Sequence, residues 1–172
     1  MFAQKQLVVY PAQGVGQIER VENREVGGVS AKFYIVRIVS NNITLMVPVS
    51  NATNVGLRCL CSRETGLDIL ETLRDRSGFT GYTGQNWNRR HRDYSERLKS
   101  GDLTRVALVL RELLLISRDK ELSFGERRLL DQAMGLVTLE LACVLGRSQD
   151  DVRTEIEESY ADILQMRVKQ SA

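Results

Sequence analysis

Val55-Gly-Leu-Arg-Cys-Leu-Cys-Ser-Arg-Glu-Thr-Gly-Leu67 is where the chain changes chemistry. Upstream, residues 1–60 hold eleven of the seventeen valines and both prolines; downstream, residues 61–172 hold eighteen of the twenty-two leucines. Branched side chains pack well on pleated strands, and leucine loses little rotamer freedom in a helix. The first part therefore predicts β structure and the second predicts helices. A chain of 172 residues is compatible with one domain, so this change in composition, rather than length, argues for two, 1–60 and 61–172.

Outward from the junction on the N-terminal side, 6–10, 16–21, 32–39 and 43–47 are short β-branched or aromatic runs. Pro11 with Gly14, Gly27-Gly28 and Asn41-Asn42 separate them, and the last pair is placed tightly enough for a hairpin turn. Four strands in so short a segment predict a small barrel or strongly bent sheet, because closure removes exposed edges.

On the other side, 62–76, 88–99, 102–118, 123–145 and 148–168 read as helices, and Ser123 with Glu126 forms a capping-box pattern. The third helix, through Leu103, Val106, Leu110, Leu113, Leu114 and Ile116, is apolar around most of its circumference, so the others must surround it. The fifth carries a single stripe, Val152, Ile156, Tyr160, Ile163 and Leu164, and is read as an outer helix. Between the first two helices, 77–86 is a long loop with three glycines and two aromatic residues. The fold class expected is α+β: a small β-barrel followed by an all-α bundle of about five helices.

Charge and residue usage exclude several functions. Lys+Arg 24 against Asp+Glu 22 leaves a formal charge of +2, too near balance to coat nucleic acid by bulk electrostatics, so any such binding must be local or assisted. No run approaches the ~18 apolar residues of a membrane span, and no signal core opens the chain. A cytoplasmic protein with no membrane partner is expected. Cys59, Cys61 and Cys143 are an odd number for a disulfide framework and, with His91, match no paired zinc-ligand spacing. Neither metal nor cofactor is expected. One histidine nearly excludes histidine-dependent triads, and no phosphate-binding Gly-x-x-x-x-Gly-Lys loop occurs. Gly14-Val-Gly16 lacks the third glycine of a dinucleotide fingerprint, where Glu19 stands, and reads as a turn before a strand. Catalysis has little to stand on.

The strongest local signal is Asn86-Trp-Asn-Arg-Arg-His-Arg92. Asn88 is a plausible helix cap, so backbone amides and the positive end of the helix dipole would face an anion met by the arginines. Two readings of Trp87 stay open. Trp87, His91, Tyr94 and Leu98 follow spacings of four, three and four, which favours a buried tryptophan with the arginines on a solvated face. A tryptophan at the start of a helix beside a loop can instead project as an apolar wedge into a minor groove.

Several stretches together carry a family resemblance. Val9-Tyr-Pro-Ala-Gln-Gly-Val-Gly-Gln-Ile18, Val47-Pro48 followed by Val55-Gly-Leu-Arg58, Asn86-Trp-Asn-Arg-Arg90, Leu98-Lys-Ser-Gly-Asp-Leu103 and Leu122-Ser-Phe-Gly-Glu-Arg-Arg-Leu129 cover nearly the whole chain in order. The sequence thereby resembles the CarD/CdnL family of bacterial transcription regulators. The resemblance implies a Tudor-like, RNA-polymerase-interacting domain over 1–60 and a helical DNA-binding domain over 61–172. Implied partners are the polymerase β subunit and promoter DNA, the latter held at the upstream edge of the bubble through minor groove and phosphate backbone with weak sequence specificity. The implied effect is stabilisation of the open complex by a monomer that joins the nucleoid through the polymerase. By residue, Trp87 matches the family tryptophan that contacts DNA, and Arg89, Arg90 and Arg92 its basic neighbours. Arg24, Met46 and Pro48 fall on the polymerase-facing positions, with Met46 standing where some relatives have arginine.

About three phosphate contacts would give a salt slope near minus three, so free DNA affinity should be weak. Docking the β domain on polymerase makes the DNA contact intramolecular, at an effective concentration that reaches about millimolar values for a short tether. The alternative reading from another class is a protein-only adaptor with a peptide-binding β module and a partner-binding bundle.

Overall fold

The computed structural model describes residues 1–78 and 86–163. Within them the chain folds as two compact units, Met1–Leu60 and a second beginning at Cys61. Strands β1 (Leu7–Tyr10), β2 (Gly14–Val26), β3 (Val29–Ile38), β4 (Thr44–Pro48) and β5 (Arg58–Cys59) form one antiparallel sheet in the order β4-β3-β2-β1-β5. Val8, Ile18, Tyr34, Val36, Ile38 and Val47 fill its concave side, and Ala52 and Leu57 from the β4–β5 connection complete that core. The class is α+β, as expected.

Two devices bend the sheet. The register of β2 against β3 shifts between Ile18 and Arg20, a bulge that increases local twist. Just before it, a Cβ on Gly16 would lie 2.8 Å from Val36 Cγ1 and 3.1 Å from the Arg37 carbonyl oxygen, so β3 crosses where any larger residue would project. Gly16→Ala should destabilise the β unit by about 1–3 kcal/mol through overpacking. Thermal unfolding of the variant checks this, and an unchanged midpoint would contradict the close approach.

Strands β2 and β3 run further than the sequence predicts. Residues 22–31 lack a buried face, which ended both predicted strands early. Yet Gly27 and Gly28 adopt φ of 60° and 80°, and Val26 pairs with Val29. Left-handed conformation at both central positions makes a two-residue turn whose twist matches its strands, so the turn, not burial, carries the ladder outward. Strand β5 was not predicted at all. Two residues leave no readable pattern; they are strand only because Val8 and Val9 pair with Cys59 and Arg58.

Helices α1 (Arg63–Arg74), α2 (Trp87–Lys99), α3 (Leu103–Asp119), α4 (Phe124–Leu145) and α5 (Gln149–Glu158) make the second unit. Each starts on a side-chain cap: Ser62, Asn86, Asp102, Ser123 and Ser148 accept backbone N–H groups that the helix leaves unpaired. Helix α3 is the centre of the bundle, with Ala107, Val109, Leu110 and Leu113 fully buried against surrounding helices.

The fifth predicted helix is interrupted at residues 159–160, with helix resuming over 161–163. Its first segment, α5, ends at Glu158, where the Tyr160 N–H turns back to the Glu157 carbonyl at 3.0 Å and Arg76 donates to the Ser159 carbonyl. That break lets buried Tyr160 donate its hydroxyl to the Leu73 carbonyl at 2.5 Å, a bond a continuous helix pattern could not announce. Residues 164–168 of the predicted helix, and 79–85 of the predicted loop, lie outside the described residues. Among the described residues no single helix is long and apolar enough to cross a membrane.

Candidate nucleic-acid interface

Asn86, not Asn88, caps α2: its Oδ1 accepts the Asn88 N–H at 2.9 Å. Trp87 is therefore the first helical residue. Inward from it the buried positions are Arg90, Tyr94 and Leu98, spaced three, four and four, whereas His91 is exposed. The expected stripe through His91 is corrected by one residue, and the reason is electrostatic. Burying a guanidinium requires a partner, and that partner stands on another helix.

Arg90, only 8% exposed, donates from Nη2 to Glu126 Oε1 at 2.8 Å. Glu126 is fully buried in the first turn of α4. Its second oxygen accepts from Lys120 Nζ at 2.6 Å and from the Ser123 N–H at 2.8 Å, while Ser123 Oγ accepts the Glu126 N–H at 3.3 Å. One carboxylate thus closes the α4 capping box, favours the positive end of the helix dipole and anchors α2. Burial alone would raise the Glu126 carboxyl; the hydrogen bonds from Lys120 and Ser123 outweigh it and hold the group below the ordinary carboxylate value. Arg90 is consequently not a cation offered to solvent, contrary to its expected place beside Arg89 and Arg92. Further along, Arg97 bonds Asp93 on its own helix and Glu112 on α3, at 2.5 and 3.0 Å, fixing the other end of α2.

Trp87 is partly buried, packed on the helical core without being sealed in it. Its benzo ring lies over Gly125, so close that a Cβ there would be 2.8 Å from Cζ2. His91 meets the indole edge-on at 5.2 Å between centroids and 64°, and the Arg90 guanidinium carbon is 5.6 Å from the ring centre. The N-terminal ends of α2 and α4 therefore meet at this indole. Along the first two turns of these helices, Arg89, His91, Arg92, Phe124, Arg127 and Arg128 are exposed. The Arg92 side chain is 84% accessible and pairs with Glu96 of its own helix; Phe124 is 83% exposed. An exposed phenyl ring at the first position of a helix is not core packing.

In the β unit, ladder register places Arg20 opposite Ile35 and Ile35 opposite Met46, Glu22 opposite Phe33 and Phe33 opposite Pro48, and Arg24 opposite Ala31. Residues directly opposite share a face, as do every second residue along a strand. Arg24, Met46 and Pro48 thus occupy one face, opposite the one that carries Tyr34 and Val36. Glu22 accepts from Arg20 Nε at 2.5 Å and Arg24 Nε at 2.9 Å, and these bonds lower its carboxyl. Met46 is exposed on an edge strand.

Residues 2–59 match the CarD-like/TRCF RID domain, and residues 68–157 match the C-terminal domain of CarD, in that order along the chain. The chain belongs to the CarD family. The Bacillus subtilis (strain 168) protein named "Putative transcription factor YdeB" is 26% identical over 150 residues, covering 86% of this chain and 94% of that protein. The sheet of this CarD-family chain is accordingly Tudor-like. The RID match spans Arg24, Met46 and Pro48, and the CarD C-terminal match spans Trp87, Arg89, Arg92 and Phe124. Sequence reasoning had not singled out three residues at this junction: the exposed Phe124, Gly125 beneath the indole and the buried Glu126. The capping-box pattern located their turn, and a ring immediately after a cap, off the apolar stripe of α4, was the signal for Phe124.

Proposed function

We propose that this CarD-family protein is a non-enzymatic transcription regulator in which residues 1–60 hold the RNA polymerase β subunit and residues 61–172 hold promoter DNA at the upstream edge of the bubble, stabilising the open complex. One observation carries the reading: an indole and an exposed phenyl ring stand at the meeting N-termini of α2 and α4, and the same two helices carry the exposed Arg89, Arg92 and Arg128. Aromatic wedges enter unstacked base steps, while arginines and helix N-termini meet phosphates. The near-neutral chain then binds free DNA weakly and relies on polymerase to supply effective concentration. For the polymerase contact, the face with Arg24, Met46 and Pro48 lies beside the outer edge of β4, which leaves main-chain groups for strand addition by a partner. Met46 makes that contact more apolar than an arginine would.

A wedge shifts the closed-to-open equilibrium only through differential affinity for the two states. Trp87→Ala is expected to shorten the open-complex lifetime about tenfold, the equivalent of about 1.4 kcal/mol of lost preference. Polymerase capture by the same variant should match wild type. An unchanged lifetime with capture intact would contradict the DNA role, and loss of capture would point to the adaptor reading instead.

A further inference from the structure

We propose that Gly125, Glu126 and Arg90 form a seat that sets how far the Trp87 indole projects, which makes them positioning residues for the DNA contact. The inference rests on the reading of Trp87 given above and adds what controls it. The space under the ring decides first. A Cβ on Gly125 would meet Cζ2 at 2.8 Å, Cη2 at 3.5 Å and Cε2 at 3.7 Å, all atoms of one movable ring and none of them backbone. Any side chain at 125 must therefore lift the indole, not unfold the helix.

Helix propensity points the other way. Glycine is a weaker helix former than alanine. Gly125, the second residue of α4, thus sits where alanine would suit the backbone and glycine suits the indole. Phe124, next to it, turns outward. The first turn of α4 consequently receives one aromatic ring and presents another.

The second part of the seat fixes the helix that carries the indole. Arg90 is one turn after Trp87, its guanidinium stands beside the ring, and its charge is tied to Glu126 one residue beyond Gly125. Glu126 in turn is held by Lys120 and by the backbone of its own cap. The two helix ends that frame the indole therefore share one buried carboxylate. A rigidly held apolar group loses less freedom on binding than one that must be ordered by its target.

Trp87 is the sole tryptophan, so indole emission of the full-length protein reports the seat directly. In Gly125→Ala the emission should shift to the red and acrylamide quenching should rise, with no loss of thermal stability. The open-complex lifetime on the polymerase should fall about fivefold, within the usual span of coupling effects. The double variant with Trp87→Ala should be no shorter-lived than Trp87→Ala alone. Arg90→Lys, which keeps a charge for Glu126 but not the guanidinium plane beside the ring, should move the emission in the same direction. Unchanged emission in a folded Gly125→Ala protein overturns the seat. So does a shifted emission with a wild-type lifetime, provided Trp87→Ala itself is short-lived. A wild-type lifetime for Trp87→Ala removes the DNA reading itself, and with it the role of the seat.

Discussion

Arg90→Ala is expected to destabilise the helical unit by about 3–5 kcal/mol, because it strips one of two cationic partners from a carboxylate that has no water to turn to. Arg89→Ala, one residue away on the exposed face, should change stability by no more than about 0.5 kcal/mol. Urea unfolding of the two variants side by side measures the contrast. Equal effects would mean that Glu126 does not depend on Arg90. The pH dependence has a defined sign. Since the Glu126 carboxyl is lowered in the folded protein, its contribution is complete above the unfolded carboxylate value of about 4.3 and is lost as pH falls through the lower folded value. Wild-type stability should therefore be greatest near neutrality and decline in acid as Glu126 takes up a proton. Under the proposed function the same comparison separates the arginines: a loss of DNA affinity in Arg89→Ala or Arg92→Ala would be loss of contact, whereas in Arg90→Ala it would follow loss of structure.

Leu113→Ala is expected to cost about 2–5 kcal/mol, the range for truncating a fully buried leucine and leaving a cavity. Helix α3 is buried on nearly every side, so α1, α2 and α4 cannot all close onto one missing side chain without separating from one another. The upper part of the range is favoured for that reason. Calorimetry of the full chain checks it. A loss below 1 kcal/mol would show that the bundle collapses around the gap, and that α3 is less central than its burial implies.

How far these features were legible from the residues alone depends on whether they are local. Composition placed the change from β to α at residue 60, because branched and unbranched side chains are used for different backbones. The cap at Ser123 was readable since a cap needs only residues within one turn. The length of the β2–β3 hairpin was not. Its outer half is polar, and a strand held by turn geometry carries no apolar alternation. Arg90 was misplaced for a similar reason. A charged residue belongs outside unless its partner is known, and Glu126 lies thirty-six positions further along. Trp87 is neither sealed inside nor fully exposed: it packs on the core, with Gly125 beneath its ring, and stays partly accessible. No helical pattern distinguishes a ring that is half covered from one wholly inside. The break after Glu158 was hidden because Tyr160 fits the apolar stripe of a longer helix equally well, and only the Leu73 carbonyl selects the turn.

Strand β1 pairs with β2 only over Gly14–Gln17, and β4 pairs with β3 only over Phe33–Arg37, so the Gly27-Gly28 hairpin runs on past both of its neighbours. Such a protruding ribbon presents bare peptide groups along both margins, the situation in which sister molecules zip together into aggregates. Along it Arg20, Glu22 and Arg24 form a rung of alternating sign. Two molecules sliding together in most registers would have to bring like charges face to face or strip water from paired ones. The ribbon thus carries, in three side chains, a charge pattern that discourages pairing with its own copies.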